Sequence, residues 1–263
     1  MIRLTRLACA ALSLTALSLS TLLCLPAQAQ TVSLSFDDGP TVGATPRLSP
    51  KQRNQAMLDA LAKYKVKSVL FVTGGNGADK PKGYALAKAW GDAGHLIGNH
   101  TMTHIDLNSD KVSLAQYQKE FLECDALIRT LPGYRKWFRY TFINLGNTPG
   151  KRDGMRNFLK HRGYVDAPVS FHVSDWVVDE KVMHALKADR KADLTAIKRA
   201  YLADVRKQAL ANKDKAGPDE VQVLLLHHNL ANAMWLDEVI GVFASTGWKF
   251  APADGALAND RRR

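Results

Sequence analysis

The sequence predicts an α/β fold: a parallel β-sheet with helices packed over it. Three observations carry this. Segments with strand periodicity alternate with segments of helical periodicity along the chain. One late segment, Val221 to Leu226, is almost wholly apolar, as expected of a strand buried on both faces. Residues able to bind ions or move protons follow strand after strand: Asp37 and Asp38, His100 and His104, Arg139, Asp175, and His227. Active sites of α/β barrels lie in the loops after the strands.

Each element follows from local pattern. Thr31 to Phe36 alternates polar and apolar, which reads as a strand. Pro40, Gly43, Pro46 and Pro50 make the next stretch a loop. Lys51 to Lys65 has helical spacing of Met57, Leu58 and Leu61, and Lys67 to Thr73 is a β-branched strand. Tyr84 to Ala93 reads as a helix stopped by Gly94, and His95 to Gly98 as a short strand. Ser113 with Gln116 resembles a capping box opening a helix from Leu114 to Thr130. A short strand, Trp137 to Tyr140, precedes a helix from Lys151 to His161. Two short strands flank Pro168, and Ala185 to Asn212 holds one or two Ala- and Lys-rich helices. After Val221 to Leu226 come a helix from Ala231 to Ser245 and a last strand, Trp248 to Ala251. Residues after Asp254 are expected to fray, leaving 256–263 as a polar tail.

The first 29 residues read as an export leader rather than as fold. Arg3 and Arg6 precede an apolar stretch from Leu7 to Leu25, and Ala27-Gln28-Ala29 has the small-x-small pattern of a cleavage site. The catalytic domain is then expected over 30–255, in the periplasm or outside the cell. The segment after the leader lacks any run apolar enough to span a bilayer. Of three cysteines, only Cys124 lies outside the leader, so no internal disulfide is expected there. The formal charge of +11 favours polyanionic surroundings. The basic residues form no stripe interleaved with aromatics, which argues against nucleic acid as a partner. A monomer is expected.

Asp37 and Asp38 stand side by side before Gly39-Pro40. Two adjacent carboxylates stay ionised together only beside positive charge, which a cation supplies. Alone, Asp-Asp-Gly-Pro is also ordinary turn chemistry. His100 and His104 are four apart, a spacing that puts both imidazoles on one face of a helical turn. One carboxylate, two imidazoles and a water make a catalytic zinc-type site with an open position.

The order and wording of these segments resemble the polysaccharide deacetylase family, the NodB-homology domain of carbohydrate esterase family four. Ser35-Phe36-Asp37-Asp38-Gly39-Pro40 is similar to the family's first motif, with Ser for Thr. His100-Thr101-Met102-Thr103-His104 matches its second. Arg139-Tyr140-Thr141-Phe142 stands where the family has Arg-x-Pro-Tyr, with Thr141 for Pro and Phe142 for Tyr. Ser174-Asp175-Trp176 keeps the Asp-Trp pair of the fourth motif, and Leu225-Leu226-His227 matches the fifth, with His228 adjacent.

The resemblance implies a single distorted (β/α) barrel with about seven parallel strands. It implies that Asp38, His100 and His104 hold one divalent metal, for which zinc, cobalt, nickel or manganese is suitable. Asp37 would be the general base, paired with Arg139, and His227 the general acid, oriented by Asp175. The main-chain N–H of Phe142 would stabilise an oxyanion, and Trp176 and Leu225 would wall an acetyl pocket. The implied activity is removal of N-acetyl or O-acetyl groups from a glycan. Two readings stay beside it: a metal-dependent hydrolase of small cyclic amides, and a non-catalytic glycan-binding protein on the same scaffold. The basic stretch from Val177 to Gly217 is expected to form a lid or flank on the substrate groove. His95, His161, His172 and His184 are expected to be structural or surface residues.

Overall fold

The structure, a computed structural model, describes residues 30–258 apart from 214, 216, 218 and 219. The expected leader, Met1 to Ala29, lies outside the described residues, as do the last five residues of the tail.

The strands are β1 (Thr31–Gly39), β2 (Val69–Val72), β3 (Leu96–Asn99), β4 (Tyr134–Phe138), β5 (Val165–Asp166), β6 (Phe171–His172), β7 (Val221–His227) and β8 (Lys249–Phe250). Seven run in the order β5-β4-β3-β2-β1-β7-β6, and β8 adds to the start of β1. Every pairing is parallel. The two edge strands, β5 and β6, are joined by only residues 167–170. At about 3.5 Å per residue, this connector holds the edges within roughly 18 Å of each other. The sheet is therefore curled into an incomplete barrel. Ala167 N–H donates to Phe138 C=O and Ser170 N–H to Val223 C=O, so the connector reaches both sides of the opening.

The helices are α1 (Pro50–Lys63), α2 (Pro81–Asp92), α3 (Leu114–Ile128), α4 (Pro149–His161), α5 (Asp175–Ala188), α6 (Thr195–Lys213), α7 (Leu230–Ser245) and α8 (Ala253–Ala258). Their starts follow from capping chemistry. Ser49 and Gln52 form a reciprocal capping box on α1, with Pro50 in the first turn. Ser113 Oγ accepts from Gln116 N–H at the head of α3.

The alternation of β1 sorts its side chains between two buried environments. Val32, Leu34 and Phe36 join the main core with Met57, Leu61, Val239 and Ile240 of the covering helices. Ser33, Ser35 and Asp37 are equally buried, on the barrel interior. Polar spacing in β1 therefore marks an internal polar core, not a wet face. A smaller apolar cluster that includes Val69, Phe71 and Trp137 fills out the interior.

Two expectations are corrected here. The stretch from Val177 to Gly217 is not a lid among its described residues. Helices α5 and α6 place Val182, Leu186, Tyr201, Val205 and Ala209 in the main core. Their basic residues are the solvent side of a covering layer. The chain also does not fray at Asp254: α8 runs to Ala258, with Ala253 and Ala256 buried.

Candidate metal centre and active site

Strand ends bring the titratable residues together. Asp37 and His227 are register partners on the adjacent strands β1 and β7. Asn99 ends β3, and His100 follows with its N–H donated to Val72 C=O of β2. Arg139 follows β4, its N–H donated to Asn99 C=O.

Asp38 Oδ1 lies 3.2 Å from His104 Nε2 and 3.6 Å from His100 Nε2. All three candidate ligand atoms lie within 4.8 Å of one another. Ligands about 2.1 Å from a tetrahedral ion sit about 3.4 Å apart, so this donor set fits one small divalent cation. The imidazole protonation fits as well. His100 Nδ1 lies 2.8 Å from Arg139 C=O, so the ring donates there and leaves the Nε2 lone pair toward Asp38. Burial pushes the His100 pKa down to about 3 despite the opposing charge of Asp38, which keeps the ring neutral.

The two histidines are not on a helical turn. They sit in an irregular loop where Thr101 has φ 69° and His104 φ 59°. Asn99 Oδ1 accepts from Thr101 N–H, and Thr101 Oγ1 accepts from His104 N–H, so side chains rather than helix geometry fix the pair. Six non-glycine residues among those described have positive φ, and five surround this site: Asp38, Thr101, His104, Phe142 and Ile143. Each costs on the order of 1–3 kcal/mol, and such residues cluster where function requires them.

Behind the donor set, Arg139 Nη1 contacts Asp37 Oδ1 at 3.0 Å and Ser35 Oγ at 2.8 Å. Its Nη2 donates to Pro168 C=O at 3.1 Å, and the guanidinium lies over the Phe71 ring. Asp37 Oδ2 faces the ligands, 3.6 Å from His100 Nε2. Burial raises the Asp37 pKa, and the charge and hydrogen bond of Arg139 oppose that. Arg139→Met is expected to destabilise the fold by about 3 kcal/mol or more, because it leaves the buried Asp37 uncompensated. Urea denaturation at pH 7 measures this.

On the other side, His227 Nδ1 lies 2.8 Å from Asp175 Oδ1, and Asp175 Oδ2 accepts from His227 N–H at 2.7 Å. Asn232 Nδ2 also donates to Asp175 Oδ2. Burial works against charge on His227, but the charge and hydrogen bond of Asp175 outweigh it and raise its pKa to about 9. With Nδ1 engaged, Nε2 is the atom free to serve the cavity. That cavity, of about 450 Å³, is lined by Asp37, Asp38, His100, His104 and His227, with Phe142, Ile143, Trp176 and Leu225 as its apolar wall. His228 is instead a core residue, hydrogen-bonded near Thr41 and Asn54, so the register at this motif is His227.

The profile described as polysaccharide deacetylase matches residues 25–152. That match to the polysaccharide deacetylase family spans a little under half of the chain. A peptidoglycan-N-acetylglucosamine deacetylase of Bacillus cereus is 33% identical over 107 residues, 41% of this chain and 34% of its own length. A chitooligosaccharide deacetylase of Sinorhizobium fredii is 35% identical over 101 residues, 38% of this chain and 40% of its own. The chain thus matches about two fifths or less of the length of these relatives. The fold extends further. A chitin deacetylase structure from Colletotrichum lindemuthianum superposes with a TM-score of 0.64 over 88% of both chains, at 18% identity.

Within this polysaccharide deacetylase fold, Thr141 is accommodated by a closed set of hydrogen bonds. Thr141 Oγ1 donates to Ile105 C=O at 2.5 Å, and Thr141 N–H donates to the Tyr117 hydroxyl at 3.2 Å. The Tyr117 hydroxyl lies 3.0 Å from Thr141 Oγ1, which completes the proton count if tyrosine donates there. The loop bearing Phe142 is thereby tied to the residue after His104. Phe142 packs edge-on against His104, ring centroids 4.5 Å apart. Thr141→Ala is expected to cost about 1–3 kcal/mol by leaving the Ile105 carbonyl unpaired. Chemical denaturation measures it.

His172 and Ile143 also line the cavity, and sequence reasoning assigned neither to it. His172 sits 5.2 Å from the Trp176 ring and pairs in register with Leu225. Its place one strand away from Leu225 was the available signal, but a two-residue strand leaves no periodicity to read.

Proposed function

We propose that this chain is a metal-dependent deacetylase that hydrolyses N-acetyl groups on a glycan outside the cytoplasm. The observation that carries this reading is the arrangement in one cavity. A buried carboxylate paired with arginine and an imidazole paired with aspartate flank a carboxylate–imidazole–imidazole donor set. One carboxylate with two imidazoles at this spacing suits a small divalent cation. The named relatives act on peptidoglycan N-acetylglucosamine and on chitooligosaccharides, and an acetylated amino sugar is the corresponding substrate here.

Asp38, His100 and His104 would hold the ion, zinc being the first choice for this donor set. A divalent ion there supplies Lewis-acid polarisation of the acyl carbonyl and acidifies water. The chain's own residues do the rest. Asp37 takes the water proton at Oδ2, while Arg139 fixes Oδ1 and keeps the carboxylate ionised. Phe142, which lines the cavity, would offer its main-chain N–H to the developing oxyanion. The His227 imidazolium gives its Nε2 proton to the leaving amine, and Asp175, accepting from Nδ1–H, orients the ring and favours that protonated form. Trp176 and Leu225 enclose the acetyl methyl and reduce the water around it.

The test is acetate release by purified, zinc-loaded protein from N-acetylglucosamine oligomers, O-acetylated xylan and a small cyclic amide. Release from the amino-sugar oligomers supports the reading. Turnover of the cyclic amide alone, or of none of the three, overturns it.

A further inference from the structure

A second cavity, of about 480 Å³, shares no lining residue with the reaction cavity and is not used by the chemistry above. Its rim carries Arg152, Arg156 and Lys160, spaced four apart and therefore on one face of α4. Tyr140 and Leu145 form apolar wall, and Asp166 is the one acid in the lining. Arg156 also contacts Asp153 at 3.3 Å, a pair exposed on both sides. The balance of the cavity remains positive.

Helix stability does not account for these cations. Lys160 in the last turn suits the helix dipole, but Arg152 sits near the start, where a cation is unfavourable. The neighbouring Lys151 has its own role: its Nζ donates to Leu107 C=O and Ser109 C=O.

One short loop joins the two cavities. Phe142 and Ile143 line the reaction cavity and Leu145 lines the second, so the two are separated by at most about 11 Å of chain. All three side chains are exposed, at 59%, 45% and 42%. The loop beneath them is fixed. Asn144 Nδ2 donates to Asp106 Oδ1 and Gly146 N–H to Asn108 Oδ1, each at 2.9 Å. A rigid apolar ledge between a reaction cavity and a basic cavity matches a sugar chain that carries negative charge.

We propose that the cavity beside α4 is a subsite for anionic oxygen groups, carboxylate or phosphate, borne on the glycan a residue or more away from the acetyl group removed. The inference rests on the glycan-deacetylase reading and deepens it: the substrate class is an acidic glycan. Arginine forks suit both kinds of anion, and the exposed rim makes the attraction sensitive to salt.

The test uses the zinc-loaded full chain and three chito-oligosaccharides of equal length: neutral, O-carboxymethylated and phosphorylated. Binding is read by calorimetry and turnover by acetate release, for wild type and for the R152Q/R156Q/K160Q variant. Its three side chains are exposed or half-exposed, and a thermal melt checks that the variant is folded. Wild type is expected to bind an anionic oligomer about tenfold more tightly than the neutral one, a preference that charge complementarity can supply. The preference should vanish in 0.5 M salt and in the variant, with kcat on the neutral oligomer unchanged. Preference for one anionic probe over the other tells carboxylate from phosphate. Equal binding of all three probes by wild type, or equal loss on the neutral probe in the variant, overturns the subsite while leaving deacetylation standing. If wild type releases acetate from none of them, the deacetylase reading falls, and the binding data alone decide the subsite.

Discussion

Asp37→Asn is expected to lower kcat for acetate release by about 10³-fold, within the range that general-base catalysis contributes. Asparagine keeps the shape and can still accept from Arg139, whose Nη1 reaches Oδ1 at 3.0 Å. It cannot take a proton from water. Metal content is expected to stay at the wild-type level, because Asp38, His100 and His104 are the groups clustered as ligands. KM should change little. The measurement is saturating acetate release alongside metal analysis of the same preparation. A variant within threefold of wild type would remove Asp37 as the base. A variant that loses its metal would instead make Asp37 a ligand.

Asp175→Asn carries the second large effect. In the wild-type, metal-free protein His227 is expected to titrate near 9, because the charge and hydrogen bond of Asp175 outweigh burial. The folded pKa lies above the unfolded value of about 6.5. The pair therefore stabilises the fold fully below pH 6.5, and that contribution is lost as pH rises through 9. Removing the Asp175 charge takes away the main contribution that opposes burial, so the His227 pKa falls. The proton available to the leaving amine at neutral pH goes with it, and kcat is expected to fall about 10²- to 10⁴-fold. A bound divalent ion opposes protonation of His227, so the alkaline limb of the loaded enzyme should lie below 9. NMR titration of the ring in the metal-free protein reads the shift directly. Titration near 6.5 in both proteins would contradict it.

Most of the fold was legible because its elements are bounded by strong local chemistry. Ser113 and Gln116 marked one helix start, and Val221 to Leu226 marked a central strand by composition alone. That the candidate residues would lie together was legible because most of them stand at strand ends, and strand ends in a parallel sheet converge whatever the loop lengths. Three features were not. The polar positions of β1 were compatible with a half-wet strand. The distant Arg139, which follows β4 and reaches Ser35 and Asp37, helps to explain the burial of those two. The spacing of His100 and His104 suggested a helical turn. The observed loop instead depends on Asn99 and Thr101 side-chain bonds and on left-handed backbone at two non-glycine residues, which no periodicity encodes. The basic stretch after Val177 suggested a lid or flank, because charge on the solvent side of a helix and charge over a groove look alike in sequence. The apolar stripe of Val182, Leu186, Tyr201, Val205 and Ala209 was the better guide, and it placed α5 and α6 over the sheet.

Every catalytic role proposed here depends on Asp38, His100 and His104 gripping one ion between them. Calorimetric titration of metal-stripped protein with zinc tests this most directly, using wild type, Asp38→Asn, His100→Ala and His104→Ala. Wild type is expected to bind one equivalent per chain, with affinity reduced about 100-fold or more in each variant. Unchanged stoichiometry and affinity in the three variants would contradict it.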